Sequence, residues 1–463
     1  MNRRRPFGKT PTAGLGRCGL GALAVLALGR CSAPEKPRHP PLAGHYEGSL
    51  TYQGAVTAAV LEVRGAPGGP WQADFSLPDM GGLGFAAQRL RYEPPRLRFE
   101  RAPGNERMVV DAVQQGPGLR GTFAAEGLTA RLMLARRGAP RARTYRVVPL
   151  SFRIGARPVA GTLLVPAGPA ARRPAVLLLH GSGDPHQGSL LAYATWLAQH
   201  GFVALVFDRR DAQLPAAQER EYDQRDLARD AAVAVRALKD RPEVDTARVG
   251  VWGISQGAHV AALVAGQVHP PVAFVVAVSS PGVTYAAVGH FQVAERLRRN
   301  GFAAADVQRM HRALDAVEAF VRAGGTGDTS AVYQVLSATR QQPWARLVPL
   351  PRCVPTPADI RRQLRWRQLD LDPRAAWARV RVPALLQYGS ADDRFDAPQS
   401  AARLRQVVGN RPGTLVRIYP NADHELMLRS GARPGTPGPW AWPMPAPGYL
   451  TDMLAWMRQQ VRQ

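Results

Sequence analysis

Cysteine, lysine and long apolar runs are all scarce in this sequence. Its three cysteines (Cys18, Cys31 and Cys353) have neither a CxxC pairing nor the spacing of a metal site, and they are too few for a disulfide framework. Lysine contributes only three of the 60 basic residues. Outside the N-terminus no apolar run approaches the ~20 residues that a spanning helix needs, which excludes a multi-span membrane protein.

The composition is otherwise that of a folded protein. Hydrophobic residues make up 45% of the 463 positions, which is enough for at least one large buried core. The 45 glycines and 41 prolines stay below the ~25–30% combined share that is typical of low-complexity disorder. The length leaves room for about three domain-sized units.

The net charge of +25 raises the question of nucleic-acid binding. The arginines are scattered along the chain, and neither zinc-finger spacing nor an RNA-binding signature accompanies them. A basic chain alone provides only non-specific attraction to nucleic acid. We therefore predict no nucleic-acid partner.

Residues 1–31 have the pattern of an export signal. A basic head (RRRPFGK) precedes an apolar segment at 19–29, which is typical of a secretory leader. The head resembles a twin-arginine leader, and LGRC resembles a lipoprotein cleavage box in which Arg30 stands where a small residue is expected. We expect export to the periplasm or cell envelope. Ordinary cleavage and membrane attachment through a lipid on Cys31 both stay open.

Two predicted segments follow the leader. Residues 32–43 are rich in proline and polar residues, so we expect a linker. From 44 to 137, short alternating runs separated by turn residues predict a small all-β domain. The clearest runs are 48–52, 56–63, 97–99 and 128–134. No catalytic group stands out there, so a packing role and a substrate- or surface-binding role both stay open.

Residues 145–463 change to apolar runs that alternate with amphipathic stretches. This alternation predicts an α/β domain with a mostly parallel sheet, whose strands are buried on both faces. We expect strands at 174–180, 202–208, 248–253, 272–279, 383–389 and 414–419, and helices at 222–239 and 259–266. Residues 285–375 show helical periodicity alone. Such a block has the usual form of a cap over an active site, with a purely structural subdomain as the alternative.

The sharpest chemical signal is GISQG at 253–257. It follows a predicted strand and opens a predicted helix, which is the context that a nucleophile elbow requires. Glycines are needed because the turn is strained and leaves little space for Cβ atoms. We therefore predict Ser255 as a catalytic nucleophile, with a buried turn serine as the alternative.

A serine hydroxyl needs a base, and the base needs an acid that orients it. The chain order expected for this elbow is Ser, then Asp or Glu, then His. His424 lies in a loop shortly after the last predicted strand, and Asp392 and Asp393 follow the strand before it. We predict His424 as the base and either Asp392 or Asp393 as the acid. Only one of the two adjacent aspartates can face His424.

The same reasoning predicts an oxyanion hole. The backbone N–H of Gln256, directly after the nucleophile, is one expected donor. HGSG at 180–183 follows a predicted strand, and its glycines allow the backbone to approach a carbonyl oxygen. We expect the second donor to be the N–H of Ser182, with Gly181 as the next candidate.

These motifs resemble the α/β-hydrolase superfamily, and within it exported bacterial esterases of the dienelactone-hydrolase and acyl-peptidase-like branch. The matching pieces run in family order over about two thirds of the chain: HGSG (180–183), FDRR (207–210), GISQG (253–257), DP (372–373), the run at 383–389, Asp392, and ADH (422–424). In this family the acid usually lies three residues after the strand-end glycine, which here gives Asp392. Two departures from its pattern are Ile254, where His is common, and DP after HGSG, where PR is frequent.

The resemblance implies esterase-type acyl transfer without a metal or organic cofactor, acting on a small-molecule acyl ester. A peptidase or acyl-aminoacyl hydrolase and an acyl thioesterase are alternatives on the same triad. A non-catalytic binding protein on a hydrolase scaffold is a further one. The acyl group, the leaving group and the oligomeric state are left undetermined.

Overall fold

The computed structural model describes residues 41–65, 68–101, 108–125, 127–169, 171–212, 223–269, 271–409, 411–428 and 439–462. The predicted export signal, and with it Cys31, lies outside these residues, as does nearly all of the predicted linker. Leu42, near the end of that linker, is buried in the first domain, where its carbonyl accepts a hydrogen bond from the Tyr46 hydroxyl. None of the helices in the described ranges has both the length and the hydrophobicity to cross a membrane.

The first domain is one antiparallel sheet. Its strands are β1 (Gly44–Tyr52), β2 (Ala55–Arg64), β3 (Gln72–Ser76), β4 (Gly84–Ala86), β5 (Gln88–Glu93), β6 (Arg96–Arg101), β7 (Met108–Gln115), β8 (Gly118–Ala125) and β9 (Leu128–Gly138). They lie in the order β4-β3-β2-β1-β9-β8-β7-β6-β5. In β9 buried and exposed side chains alternate, as expected for a strand with one face on a core.

This sheet curls around its own core. Phe75 of β3 stacks on Phe123 of β8 with ring centroids 5.6 Å apart, although β2, β1 and β9 separate the two strands in the sheet. Two strands so far apart can meet only if the sheet bends back on itself. The inward side chains therefore fill a small barrel-like interior, and the sheet is nearly closed.

The second domain has an eight-stranded sheet in the order β10-β11-β13-β12-β14-β15-β16-β17. These strands are β10 (Tyr145–Ile154), β11 (Arg157–Pro166), β12 (Arg173–Leu179), β13 (Val203–Phe207), β14 (Val244–Ile254), β15 (Val275–Val278), β16 (Ala384–Gly389) and β17 (Leu415–Tyr419). A two-stranded sheet of β18 (Met427–Leu428) and β19 (Met444–Pro445) follows.

Eleven helices are present in the described residues. They are α1 (Leu191–Gln199), α2 (Gln224–Lys239), α3 (Gln256–Ala265), α4 (Tyr285–Arg299), α5 (Ala304–Arg322), α6 (Thr329–Arg340), α7 (Pro357–Arg362), α8 (Leu364–Arg367), α9 (Arg374–Trp377), α10 (Ala397–Val408) and α11 (Tyr449–Gln460). Helices α2, α3, α9 and α10 cover one face of the large sheet, and α1 and α11 cover the other. The domain is therefore a three-layer α/β/α sandwich.

The predicted fold class is confirmed, and two details of the sheet differ from expectation. Strands β10 and β11 form an antiparallel hairpin, and β11 is also antiparallel to β13. Most of β10 alternates between partly buried and exposed residues, and β11 has a continuous buried run only at 163–166, so a search for long doubly buried strands misses them. Strand β17 lies at the sheet edge with Leu415 and Ile418 exposed, because no further strand covers it, and it is not the buried strand that we expected.

The chain between β15 and β16, which the structure describes throughout, contains helices α4–α9 and no strand. Helices α4–α8 pack around two small apolar clusters of their own, whereas α9 packs into the main core. The insertion touches the loop after β16, where Arg299 of α4 donates to the Asp393 carboxylate at 2.6 Å. Helices α4–α8 are thus an independently packed unit with a polar contact to a strand-end loop.

The half-buried carboxylate of Asp74 in β3 joins the two domains. It accepts hydrogen bonds from Arg64 (2.5 Å) in the same sheet, from Arg143 (2.9 Å) in the connector and from the Tyr145 hydroxyl (2.8 Å) at the start of β10. Burial and the nearby Asp74 charge raise the pKa of Tyr145, so its hydroxyl stays a donor. One carboxylate therefore ties both domains and the connector together.

We expect Asp74→Asn to lower the apparent free energy of unfolding by about 3–5 kcal/mol, because it leaves two guanidinium groups without their counter-charge in a partly buried site. Asp111→Asn is the matched control. Asp111 also binds two arginines, Arg96 and Arg98, but both are exposed, so we expect a loss below about 1 kcal/mol. Urea unfolding followed by circular dichroism measures both values, and equal losses would contradict the role of Asp74.

Candidate active site

Ser255 occupies a sharp turn between β14 and α3. Its φ of 54° and ψ of −116° lie in a region that non-glycine residues rarely adopt. A Cβ atom on Gly253 would lie 2.2 Å from the Gly257 carbonyl oxygen, and one on Gly257 would lie 2.4 Å from that of Leu179. Only glycine fits at these two positions, as the GxSxG pattern predicts. The turn leaves Ser255 partly exposed at the carboxyl end of the sheet.

Asp392 and His424 meet at the same edge of the sheet. Asp392 follows β16, and its fully buried side chain places Oδ2 2.7 Å from Nδ1 of His424. Its other oxygen, Oδ1, accepts from the backbone N–H of Arg394 at 2.7 Å. Asp393 points the other way, toward Arg299 of the helical insertion. Of the two adjacent aspartates, the structure thus places Asp392 against the histidine.

The position of His424 is also set through its backbone. Its carbonyl oxygen accepts a hydrogen bond of 2.7 Å from the Ser279 hydroxyl. Ser279 follows β15 directly, and the residue before it, Val278, accepts from the Ser255 N–H at 2.8 Å. Ser279 therefore links the histidine loop to the strand beside the Ser255 turn. Between the Ser255 hydroxyl and His424, both in the described part of the chain, no hydrogen bond is formed.

The HGSG loop lies directly against the Ser255 turn. A Cβ atom on Gly181 would be 3.7 Å from Cβ of Ser255. Arg209, just after β13, donates to the carbonyl oxygens of Gly181 (2.6 Å) and Gly183 (3.1 Å). The C=O and N–H groups of a trans peptide point in opposite directions. Arg209 therefore holds the Gly181–Ser182 peptide so that the Ser182 N–H points away from the guanidinium group.

The other predicted oxyanion donor is the backbone N–H of Gln256, the first residue of α3. The first N–H groups of a helix have no intrahelical acceptor and carry partial positive charge. The backbone N–H of Ala258 donates to the Ser255 carbonyl oxygen, and this hydrogen bond begins the helix after the turn. The arrangement provides an amide donor next to the serine that developing negative charge can use.

His180, the first residue of the HGSG loop, is buried against the ring of Phe207. Burial, together with the nearby Arg209 charge, lowers the pKa of His180 to about 4. It is therefore neutral at pH 7. Since its ring packs in the interior, it supports the loop instead of offering a charge to a ligand.

A family model with the description "Alpha/beta hydrolase family" matches residues 176–434, which is more than half of the chain. The chain belongs to the alpha/beta hydrolase family. No curated protein matches the sequence.

Several solved structures are similar to this hydrolase. A dienelactone hydrolase from Anabaena variabilis is 15% identical, with a TM-score of 0.37, over 68% of this chain and 97% of that one. An esterase from Pyrococcus furiosus is 16% identical, with a TM-score of 0.37, over 60% and 83%. The 2,6-dihydroxy-pseudo-oxynicotine hydrolase is 13% identical, with a TM-score of 0.38, over 60% of this chain. The hydrolase spans only 62% of that protein's length.

Two residues at the site of this hydrolase were not among the predicted site residues. Arg209 lies in the FDRR segment that the sequence analysis compared with the family, but its contacts with the HGSG loop carry no sequence signal. Ser279 ends an apolar strand without any motif. Its side chain acts on a loop 145 positions further along, a pairing that only the sheet register creates.

We expect Gly257→Ala to lower the free energy of unfolding of the hydrolase by about 2–3 kcal/mol, because the new methyl group would press into the carbonyls of Leu179 and His180. Gly289→Ala, in the middle of α4, meets no atom within 4 Å and is the matched control. We expect it to stabilise the protein by about 0.5–1 kcal/mol through helix propensity. Thermal and urea unfolding of both variants measure the change in the free energy of unfolding. Equal changes in the two variants would contradict the close packing at the turn.

Proposed function

We propose that this hydrolase is a serine esterase in which Ser255 is the nucleophile, His424 the general base and Asp392 the acid that orients it. The observation that carries the proposal is the 2.7 Å contact between His424 Nδ1 and the buried Asp392 carboxylate, beside the strained Ser255 turn. Structural ion pairs between histidine and aspartate are common. A pair next to a GxSxG turn at the carboxyl end of a parallel sheet has the arrangement that nucleophilic catalysis requires.

The Asp392 carboxylate selects the tautomer of His424. A carboxylate accepts hydrogen bonds, so the proton of the neutral imidazole lies on Nδ1 and its Nε2 atom has a free lone pair. Nε2 can then take the proton of the Ser255 hydroxyl. Asp392 also stabilises the imidazolium that results, because its charge is buried and points at the ring.

The reaction proceeds in two halves. Ser255 Oγ attacks the ester carbonyl while His424 takes its proton, and the N–H groups of Gln256 and Ser182 stabilise the oxyanion. His424 then protonates the departing alcohol, which leaves an acyl group on Ser255. A water molecule attacks the acyl carbon while His424 takes its proton. The bond from that carbon to Ser255 Oγ then breaks, His424 returns the proton to Oγ, and the carboxylic acid is released. The chain's own groups supply every proton transfer.

Substrate class and location are further parts of the proposal. The motif resemblance favours a small carboxylic ester over a thioester or a peptide, and the small β domain is not the seven-bladed propeller of the large oligopeptidases. The leader pattern of residues 1–31 supports export to the periplasm or cell envelope. The exported protein is either free after ordinary cleavage or attached to the membrane through a lipid on Cys31.

The decisive experiment compares wild type with Ser255→Ala on p-nitrophenyl esters, acyl thioesters and acyl-aminoacyl anilides of matched acyl length. We expect ester turnover to be fastest and to fall about 10⁴–10⁶-fold in the variant. A fluorophosphonate probe should label the wild type but not Ser255→Ala. Full labelling of the variant would reject Ser255 as the nucleophile, and faster turnover of thioesters or anilides would replace esterase by one of the alternatives.

The neighbouring aspartates provide a matched pair of variants. We expect Asp392→Asn to lower kcat about 10⁴-fold, because the amide no longer holds the required tautomer of His424. Asp393→Asn weakens the contacts with Arg299 and Arg394 and leaves the pair of Asp392 and His424 in place, so we expect kcat within a few-fold of wild type. Steady-state kinetics on the preferred ester tests both. A larger loss with Asp393→Asn would reverse the assignment of the acid.

A further inference from the structure

The helical insertion contains a polar cavity of about 580 Å³ that the proposed catalytic reaction does not use. It lies between α4 and α5, with Asp396 at the start of α10 on its wall, and none of the three proposed catalytic residues lines it. Three carboxylates (Asp315, Glu318 and Asp396) face two guanidinium groups (Arg298 and Arg322) in this cavity. The lining has more negative than positive charge, although the chain as a whole is strongly basic.

Histidine and carboxylate groups from two helices converge there. His311, Asp315 and Glu318 lie at i, i+4 and i+7 of α5, which is one helix face. His290 of α4 faces them, with Nε2 3.0 Å from Glu318 Oε1 and 3.9 Å from Asp315 Oδ1. The ligating atoms of His290, Asp315 and Glu318 all lie within 4.8 Å of one another.

The spacing suits a small divalent ion of borderline softness. Zinc binds imidazole nitrogen and carboxylate oxygen at about 2.0–2.2 Å in a tetrahedron, whose ligand atoms are therefore about 3.4 Å apart. The distances from His290 Nε2 to the two carboxylate oxygens bracket that value. Mixed imidazole and carboxylate donors favour zinc over magnesium or calcium, which prefer sites made of oxygen alone.

The two oxygens of Glu318 have different partners, because Oε2 accepts from Arg322 at 3.3 Å and Oε1 is the one that faces His290. Glu318 is buried, whereas the Asp315 side chain is 69% exposed, so the cluster is closed at one end and open to solvent at the other. Nδ1 of His290 lies 3.1 Å from Nδ1 of His311. A histidine that binds metal through one ring nitrogen usually donates the N–H of the other to a neighbouring acceptor, and His311 occupies that place.

We propose that this cluster binds one Zn²⁺ ion through His290 Nε2, Asp315 and Glu318, with the fourth position open to water at the mouth of the cavity. Zn²⁺ takes the lone pair on Nε2, so the single proton of the neutral His290 ring lies on Nδ1, where it is donated to His311. The ion joins α4 to α5. Arg299 of α4 also binds Asp393, so an ion that holds α4 in place would stabilise the insertion beside the loop that carries Asp392.

The test uses the full chain, stripped with a chelator and then titrated with ZnCl₂. We expect one zinc per chain by mass spectrometry of the metal, a higher Tm, and, with CoCl₂ as a probe, the visible absorption bands of tetrahedral Co²⁺. Asp315→Asn alters an exposed group that the fold does not need, and Glu318→Gln keeps the size of a buried one. We expect each to weaken zinc binding at least about 100-fold.

Glu295→Gln is the control, because this acid lies on α4, outside the cavity, and pairs only with Arg298 among the groups described. It should bind zinc like wild type. Absence of stoichiometric zinc on the wild type would overturn the proposal. Equal affinity of wild type, Asp315→Asn and Glu318→Gln would do so as well. None of these readouts depends on ester hydrolysis, so a failure here is distinct from a failure of the proposed function.

Discussion

The candidate site depends on the close approach of three backbone segments at the Ser255 turn. The strand β14 ends there, the helix α3 begins, and the carbonyl of Leu179 at the end of β12 passes within van der Waals distance. A side chain on Gly253 or Gly257 would separate these segments. The dense packing is what allows the surroundings to hold Ser255 in its rare conformation. The turn places the Ser255 hydroxyl next to the first amide of α3.

The same close packing recurs on the other side of the site. Gly389 ends β16, and a Cβ atom there would lie 2.2 Å from the Asp423 carbonyl oxygen, so the loop that carries His424 rests directly on the strand end. The Ser279 hydroxyl holds the His424 carbonyl. The imidazole is thus positioned by its own backbone as well as by Asp392. Parallel strands end at the same edge of the sheet, so the residues at the ends of β15 and β16 lie side by side and support the loop that carries His424.

The parts outside the α/β sandwich are attached by few but specific contacts. The β domain is tied through Asp74, and also through the region after His424, where Trp440 packs edge-on against Tyr52 at 4.9 Å. The helical insertion has its own apolar clusters and reaches the site loop through Arg299. Each unit packs around its own interior, and both charged and aromatic side chains join it to the next.

Local patterns in the chain were enough to predict the fold class and the strand–turn–helix at Ser255, because periodicity and turn glycines act over a few residues. The choice of Asp392 over Asp393 came from the family resemblance. They did not reveal the β10–β11 hairpin, whose strands are half-buried, or the exposed edge at β17. The contacts of Arg209 with the HGSG loop, of Ser279 with His424 and of His290 with Glu318 arise only in three dimensions. They join residues from 26 to 145 positions apart, and no local rule of sequence determines which distant side chains a sheet register or a helix pair brings together.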